Sequence, residues 1–317
     1  MNTHDYMAFF YGILFLVMLL VLVKSAGFAT HSASKLARAF HFSEFLVSSL
    51  IVAVISTFPE TTISFIAAFQ GIPEFGLGTL LGSNVADLTI VFAVVVLFSA
   101  KGLKVKSTIL KRHFLYMMLL LLPVALGWDG YISRVEGGFL ILGCLLLFFL
   151  MYKDGHHKVK KVKHAHLHPF RNFLILVVSL GVLLTSAYYT VKFGVLFAKE
   201  IQIPAFIIGV LVVSLGTCLP ELFFSYKAVR NKHYTLALGD IFGTVIIDAT
   251  LIIGVLSLIH PLYFDAMIMY TAGVFMFVAG LLVTSFILYK HAITKIEAVI
   301  LLLFYLAFII VQVVVYG

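Results

Sequence analysis

Charged side chains are scarce in this sequence. They make up 11% of its 317 residues, against about 25% in a soluble domain. Hydrophobic residues reach 62%, above the roughly 45 to 50% of soluble folds, so an ordinary soluble globular protein is excluded. Cysteine is nearly absent: Cys144 and Cys218 are the only two, both in apolar runs, and no disulfide framework exists. Acids are fewer than bases, 14 against 22, for a net charge of +8. Such a surplus would fit a nucleic-acid binder only if the bases gathered on a folded surface, and their placement shows something else.

Apolar runs separated by polar breaks predict ten helices, over residues 7–26, 43–70, 75–99, 113–127, 137–152, 172–194, 204–229, 235–259, 267–288 and 294–315. At about 20 apolar residues per crossing, ten crossings take up roughly 200 residues and leave only short loops. The first run has no Lys or Arg before it and no small-residue cleavage site after it, which reads as a retained membrane helix and not a removed signal peptide. Loops after the odd-numbered spans carry 19 of the basic residues, from Lys24 to Lys295, while the opposite side carries only Arg134, Lys192 and Lys199. Short loops rich in Lys and Arg stay on the cytoplasmic side. Both termini are therefore expected outside the cytoplasm, and the positive charge is a topology signal with no nucleic acid as partner.

The sequence repeats itself: 25–94 aligns with 186–255 at one constant offset, without a gap and with 16 identities. Pro59 falls on Pro220, Glu60 on Glu221, Gly78 on Gly239, Gly82 on Gly243 and Asp87 on Asp248, with Ser56 on Thr217 and Ser83 on Thr244 between them. The period spans five helices, an odd number, so the copies are upside down relative to each other, the signature of secondary transporters with a site near the midplane. The expected fold is an all-α integral membrane protein of ten transmembrane helices in two inverted five-helix repeats, 1–152 and 172–317, joined by a basic, His-rich cytoplasmic loop, 153–171.

Glu60, Asp87, Glu221 and Asp248 lie well inside apolar spans, with no Lys or Arg at the same depth. One acid at a helix centre costs about 2.5 to 3.5 kcal/mol on insertion scales, so four without partners amount to roughly 10 kcal/mol and point to a site. Ser56 with Glu60, Thr217 with Glu221, Ser83 with Asp87, and Thr244 with Asp248 are each four apart, which puts a hydroxyl and a carboxylate on one helical face. Pro59 and Pro220 remove an amide donor and should break the second and seventh helices, freeing carbonyls near Ile55, Ser56, Gly216 and Thr217. Carboxylates, hydroxyls and carbonyls suit hard cations such as Ca²⁺ and Na⁺. Four negative charges need a divalent ion, or several monovalent ions or protons together, and a cavity tolerable only when filled enforces countertransport.

The segments Ser56-Thr57-Phe58-Pro59-Glu60 with Gly78 to Asp87, and Gly216-Thr217-Cys218-Leu219-Pro220-Glu221 with Gly239 to Asp248, resemble the two α-repeats of the cation/calcium exchanger superfamily, and most of all its prokaryotic sodium/calcium exchangers. The resemblance covers essentially the whole chain. It implies a secondary antiporter of the prokaryotic inner membrane, working as a monomer by alternating access, with Ca²⁺ and Na⁺ as cargo and no resident cofactor. It also implies that Glu60 and Glu221 coordinate Ca²⁺ with the hydroxyls and carbonyls of Ser56 and Thr217. Thr57 with Ser83, and Cys218 with Thr244, would line two Na⁺ positions helped by the carbonyls of Ala53 and Ser214, and Asp87 and Asp248 would hold the middle. The first and sixth helices would slide against the remaining bundle.

Departures from the family pattern are Ile55 in place of Gly, Thr79 and Asp240 in place of Asn, Val245 in place of Asn, Cys218 in place of a hydroxyl residue, and Asp87 where many sodium/calcium exchangers have Asn. They leave a calcium-type site and raise the alternative that H⁺ or K⁺ accompanies or replaces Na⁺. The stretch His156 to His168 reads as a solvated connector, with metal binding or pH sensing as the alternative. Ala237-Leu238-Gly239-Asp240 is similar to a motif of intramembrane aspartyl proteases, but the Tyr-Asp pair and Pro-Ala-Leu element of those enzymes are absent. A channel is the remaining reading, which flux coupling separates from an exchanger.

Overall fold

The computed structural model describes residues 3–38, 53–99, 103–104, 112–154, 169–290 and 292–316. The expected helices appear in order: α1 Thr3–Arg38; α2 in two pieces, Ala53–Ser56 and Phe58–Phe69; α3 from Pro73 to Leu97; α4 His113–Leu126; and α5 Arg134–Asp154. The second half has α6 Pro169–Glu200, α7 from Ala205 to Arg230, α8 from Tyr234 to Ile259, α9 from Ala266 to Lys290, and α10 Lys295–Tyr316. Eight of them are long and apolar enough to cross a membrane, and α4, with 14 residues, is a shorter apolar helix. The first part of the expected second span, 43–52, and most of the basic loop, 155–168 with its histidines, lie outside the described residues.

Burial separates inner helices from lipid-facing ones. In α3 and α8, 83% of the most apolar window is buried, against 17% in α1 and 28% in α5 and α10. The inner pair therefore carries small residues, because backbones must approach closely where no lipid intervenes. A Cβ placed on Gly82 of α3 would lie 2.4 Å from the Val210 carbonyl oxygen of α7, and one on Gly209 of α7 would lie 2.5 Å from the Phe75 carbonyl oxygen. Helices α1 and α6 pack on each other in a second hydrophobic cluster, including Phe15, Leu19, Leu22, Ala187 and Val191, which also takes in Ile63 and Ala67 of α2, Phe75 of α3, and Ile208 and Val213 of α7. The rings of Phe15 and Phe197 stack across it, 6.3 Å between centroids.

The interruptions of α2 and α7 are single residues. Thr57 and Cys218 share φ −73° with ψ −3° and −7°, each followed by a helix with proline in its first turn. Thr57 N still donates to Ala53 O at 3.0 Å, and Cys218 N to Ser214 O at 3.1 Å, so the prolines bend the ladder without unwinding it.

Beyond the aligned segments the repeat continues in structure. Ser133 and Glu136 form a reciprocal capping box at the start of α5, and Thr294 and Glu297 form the same box, at the same sequence offset, at the start of α10. Two short antiparallel ladders join the halves: β1 Leu103–Lys104 with β4 Ala292–Ile293, and β2 Tyr131–Ile132 with β3 Leu262–Tyr263. Pairing of the loop after α3 with the loop after α9, and of the loop after α4 with that after α8, requires each pair to share a face, as ten alternating crossings demand.

The helices α3 and α8 each contain a widened turn, of π type, at matching positions: Asp87–Val91 and Ile247–Ile252. Such turns recur at functional sites, and these two begin at or beside Asp87 and Asp248. The hydroxyls of Thr89 and Thr250, another pair matched by the repeat, donate to the Val85 and Ile246 carbonyls there. Two more widened turns, Ile208–Val213 and Met269–Gly273, lie in α7 and α9.

Candidate ion-binding site

All twelve residues singled out in the sequence are buried at the crossing of α2, α3, α7 and α8, none more than 2% exposed. From α2 come Ala53, Ser56, Thr57 and Glu60; from α7 Ser214, Thr217, Cys218 and Glu221; from α3 Ser83 and Asp87; and from α8 Thr244 and Asp248. Glu60 lies beside Thr217, Asp87 beside Cys218, and Asp248 beside Ser83. Each of these three contacts joins one repeat to the other. Glu60, Asp87 and Glu221 are near enough to interact electrostatically, and Asp248 with Glu60 and Asp87.

The neutral ligands are oriented by their own helices. Ser56, Thr57, Ser83 and Thr217 each place the side-chain oxygen 2.9 to 3.2 Å from the carbonyl three residues earlier, donating to it. A hydroxyl that donates its one hydrogen backward keeps its lone pairs for something else, which is what a cation ligand requires. Ala53 O accepts from both Ser56 Oγ and Thr57 N, and Ser214 O from both Thr217 Oγ1 and Cys218 N. These two carbonyls, expected as Na⁺ ligands, are thus already engaged within their helices. Direct contacts also run between the repeats: Ser56 Oγ lies 3.3 Å from Thr244 Oγ1, and Cys218 Sγ donates to the Ser83 carbonyl at 3.5 Å.

The acids are the reverse case. Glu60 Oε2, Asp87 Oδ1, both oxygens of Glu221 and both of Asp248 are buried without a hydrogen-bond donor. None of them has Lys, Arg or His at its side among the described residues. A buried carboxylate left unpaired is strongly unfavourable, so these acids need either a proton or a cation as partner. Among the described residues no three His, Cys, Asp or Glu side chains close on one point as a ready metal shell. A cation would have to be held by carboxylates of opposite repeats and completed by hydroxyl and carbonyl oxygens, a donor set that fits hard cations and not thiophilic metals.

Asp240 is a fifth carboxylate buried at this crossing, fully enclosed, within hydrogen-bonding reach of the Ser56 and Ser225 hydroxyls. In the sequence it stands out only as a departure at a family position and as part of a protease-like motif, though an acid in an apolar run, matched to Thr79 of the other repeat, is the available signal. Asn84 carries no such signal as a ligand, yet its Oδ1 is buried without a partner while Nδ2 lies 3.3 Å from Met276 Sδ. A cavity of about 590 Å³ opens between α1 and α7, with Lys24, Lys35, Lys227 and Phe223 on its walls, and reaches Pro220, next to Glu221.

The family model described as sodium/calcium exchanger protein matches residues 10–153 and again 171–314. The chain is 32% identical over 264 residues to the putative antiporter CaxA of Alkalimonas amylolytica, covering 79% of this chain and 81% of that protein. Over 344 residues it is 26% identical to the sodium/calcium exchanger MaX1 of Methanosarcina acetivorans, covering 94% and 97%. Among solved structures it superposes on the sodium-calcium exchanger NCX_Mj with a TM-score of 0.68 at 22% identity, covering 94% of this chain and 97% of that one. The H⁺/Ca²⁺ exchanger CAX superposes with a TM-score of 0.79 at 17% identity, covering 97% and 82%. At these identities the two structures speak for the fold.

Proposed function

This chain belongs to the sodium/calcium exchanger family, and on that premise we propose that it expels Ca²⁺ from a prokaryotic cytoplasm in exchange for Na⁺. It is a multi-pass membrane cation antiporter and not an enzyme, which disposes of the protease reading of Asp240. One observation carries the ion assignment: carboxylate oxygens from both repeats are buried together without a hydrogen-bond donor or a charged partner, among hydroxyls that donate to their own helices.

In this reading Glu60 and Glu221 hold Ca²⁺ with Ser56 and Thr217. Na⁺ ions use Thr57, Ser83, Cys218 and Thr244, together with the Ala53 and Ser214 carbonyls once their present donors let go, and Asp87 and Asp248 balance the centre. An empty cluster of carboxylates is costly in hydrocarbon, so the site changes face loaded with one cargo or the other. The direct packing of α1 on α6, with Phe15 stacked on Phe197, supports their movement as a pair against the bundle. The repeats are 1–152 and 172–317 about the cytoplasmic loop 153–171. Both termini face outward from the inner membrane, one chain is the working unit, and Ca²⁺ and Na⁺ enter as cargo, not as resident cofactors.

Proton coupling is the second reading, and K⁺ coupling is distinguished by the same test. Specific residues favour protons: Asp occupies both central positions with unpaired oxygens, and Cys218 supplies sulfur, a poor Na⁺ ligand, where a hydroxyl oxygen would serve. The test is ⁴⁵Ca²⁺ uptake into inverted vesicles or proteoliposomes under an imposed Na⁺, H⁺ or K⁺ gradient. Uptake driven by Na⁺ alone is the expected result. Uptake driven by H⁺ or K⁺ instead reassigns the coupling ion, and flux indifferent to every gradient makes the protein a channel.

A further inference from the structure

Four of the five carboxylates buried at the site obey the internal repeat; Asp240 does not, because Thr79 occupies the matching place. The two residues use their polar atoms differently. Thr79 turns its hydroxyl back on its own helix, donating to the Phe75 carbonyl at 2.9 Å. Asp240 reaches across to α2 and α7, accepting from Ser56 Oγ on Oδ1 and from Ser225 Oγ on Oδ2, both at 3.4 Å. Each serine has an alternative acceptor: Ala53 O lies 3.2 Å from Ser56 Oγ, and Ala237 O lies 3.4 Å from Ser225 Oγ. A hydroxyl carries one hydrogen, so at a given moment Ser56 serves one acceptor among Ala53 O, Asp240 Oδ1 and Thr244 Oγ1, and when Thr244 is the donor of its pair the choice is between Ala53 and Asp240.

When Ser56 serves Asp240, the Ala53 carbonyl keeps only the Thr57 amide, at 3.0 Å, and regains a lone pair for a cation. The other half of the site has no dedicated carboxylate of this kind. Thr217 Oγ1 donates to Ser214 O at 3.1 Å, Thr79 offers no carboxylate, and the acid beside Thr217 is Glu60, which belongs to the central cluster and would be engaged by a bound cation. Position adds to the asymmetry. Asp240 precedes Asp248 by eight residues, about 12 Å of helix rise, toward the end of α8 where Lys227, Arg230 and Lys232 stand. The cavity between α1 and α7 reaches Pro220 along walls that include Lys227. Asp240 therefore lies on the basic-loop side of the central acids.

We propose that Asp240 is a positioning residue that raises cation affinity at the basic-loop face alone, by accepting the Ser56 hydrogen bond and so releasing the Ala53 carbonyl. The inference rests on the ion site of the proposed function.

The experiment measures half-saturating Ca²⁺ and maximal exchange rate at each face, in right-side-out and inverted membrane vesicles. It compares the parent, Asp240→Thr, Asp240→Asn and the double variant Asp240→Thr with Thr79→Asp. Asp240→Thr should raise half-saturating Ca²⁺ at the basic-loop face about tenfold, the order that a hydrogen bond to a charged group supplies, with the other face and the maximal rate little changed. Asp240→Asn keeps an acceptor oxygen and should recover part of the loss, and the double variant should carry the effect to the opposite face. Equal shifts at both faces, no shift, or a loss confined to maximal rate overturns the proposal. If Asp240→Thr fails to reach the membrane, Asp240→Asn decides: no selective rise at the basic-loop face overturns it. A parent without Ca²⁺ exchange overturns the proposed function and this inference with it. A transporting parent whose Glu60→Gln variant is inactive but whose Asp240 variants match it overturns the inference alone.

Discussion

Ser56 Oγ and Thr244 Oγ1 stand 3.3 Å apart, tying α2 of one repeat to α8 of the other through the middle of the buried carboxylate cluster. Their counterparts in the opposite repeat are Thr217 and Ser83, whose hydroxyls turn instead to the Ser214 and Leu80 carbonyls, at 3.1 and 2.9 Å. The two halves are therefore alike in sequence and unlike in detail, and substitutions can probe either property.

Glu60→Gln and Glu221→Gln keep size and one acceptor oxygen but remove the charge from carboxylates of which Glu60 Oε2 and both Glu221 oxygens have no hydrogen-bond partner. Each should raise half-saturating Ca²⁺ by roughly 10- to 100-fold, the worth of a charge-assisted contact, with uptake at limiting Ca²⁺ reduced to background in proteoliposomes. Uptake that persists in both variants would remove these residues from the site.

Asp87→Asn and Asp248→Asn separate the coupling ions. If Na⁺ drives exchange, the variants keep Na⁺-driven ⁴⁵Ca²⁺ uptake and lack any H⁺-driven component. If protons drive it, imposed pH gradients lose their effect in the variants while Ca²⁺ binding, read by competition with a lanthanide, survives.

Cys218→Ser replaces a soft sulfur, now donating to the Ser83 carbonyl at 3.5 Å, with a hard oxygen. Half-saturating Na⁺ should fall by about three- to tenfold, in line with the preference of hard cations for oxygen, and half-saturating Ca²⁺ should move less. An unchanged Na⁺ dependence would place Cys218 outside the Na⁺ path.

Gly130→Ala tests the loop after α4. Gly130 has φ +81°, its carbonyl accepts from Phe264 N at 2.9 Å, and a Cβ there would lie 2.5 Å from Phe264 O. A non-glycine residue held at positive φ costs about 1 kcal/mol or more, and the clash adds to it. The variant should unfold at lower temperature in detergent, read by tryptophan fluorescence of Trp128.

Gly82→Ala presses a methyl group against the Val210 carbonyl where the separation would be 2.4 Å. Overpacking of this kind costs about 1 to 3 kcal/mol, and because Ser83 is the next residue along α3, exchange should decline together with thermal stability.

Much of this arrangement is legible in the sequence. Long apolar runs, the 19-to-3 placement of basic residues, and acids recurring at a fixed offset between the halves are all local or periodic signals. The widened turns at Asp87–Val91 and Ile247–Ile252 are not, because an i→i+5 turn is chosen by packing against neighbouring helices and leaves no spacing signature. The prolines predict broken helices, yet Thr57 and Cys218 interrupt them by one residue each, since the flanking turns recover their amide bonds. Asp240 is obscured for a different reason: its contacts depend on Ser56, which is 184 residues away, and the repeat that exposes the other four acids pairs it with a threonine.

The two short ladders set a limit on how the molecule can deform. Each joins a strand of one repeat to a strand of the other, β1 to β4 at one face and β2 to β3 at the opposite face. They act as crossed braces, anchoring the loops beside α3, α4, α5, α8, α9 and α10 in one frame. Among the described residues no strand flanks α1 or α6, which grip each other through Phe15 and Phe197. An excursion that preserves the braces falls to the four helices outside them, α1 and α6 together with α2 and α7, and the last two hold eight of the twelve site residues.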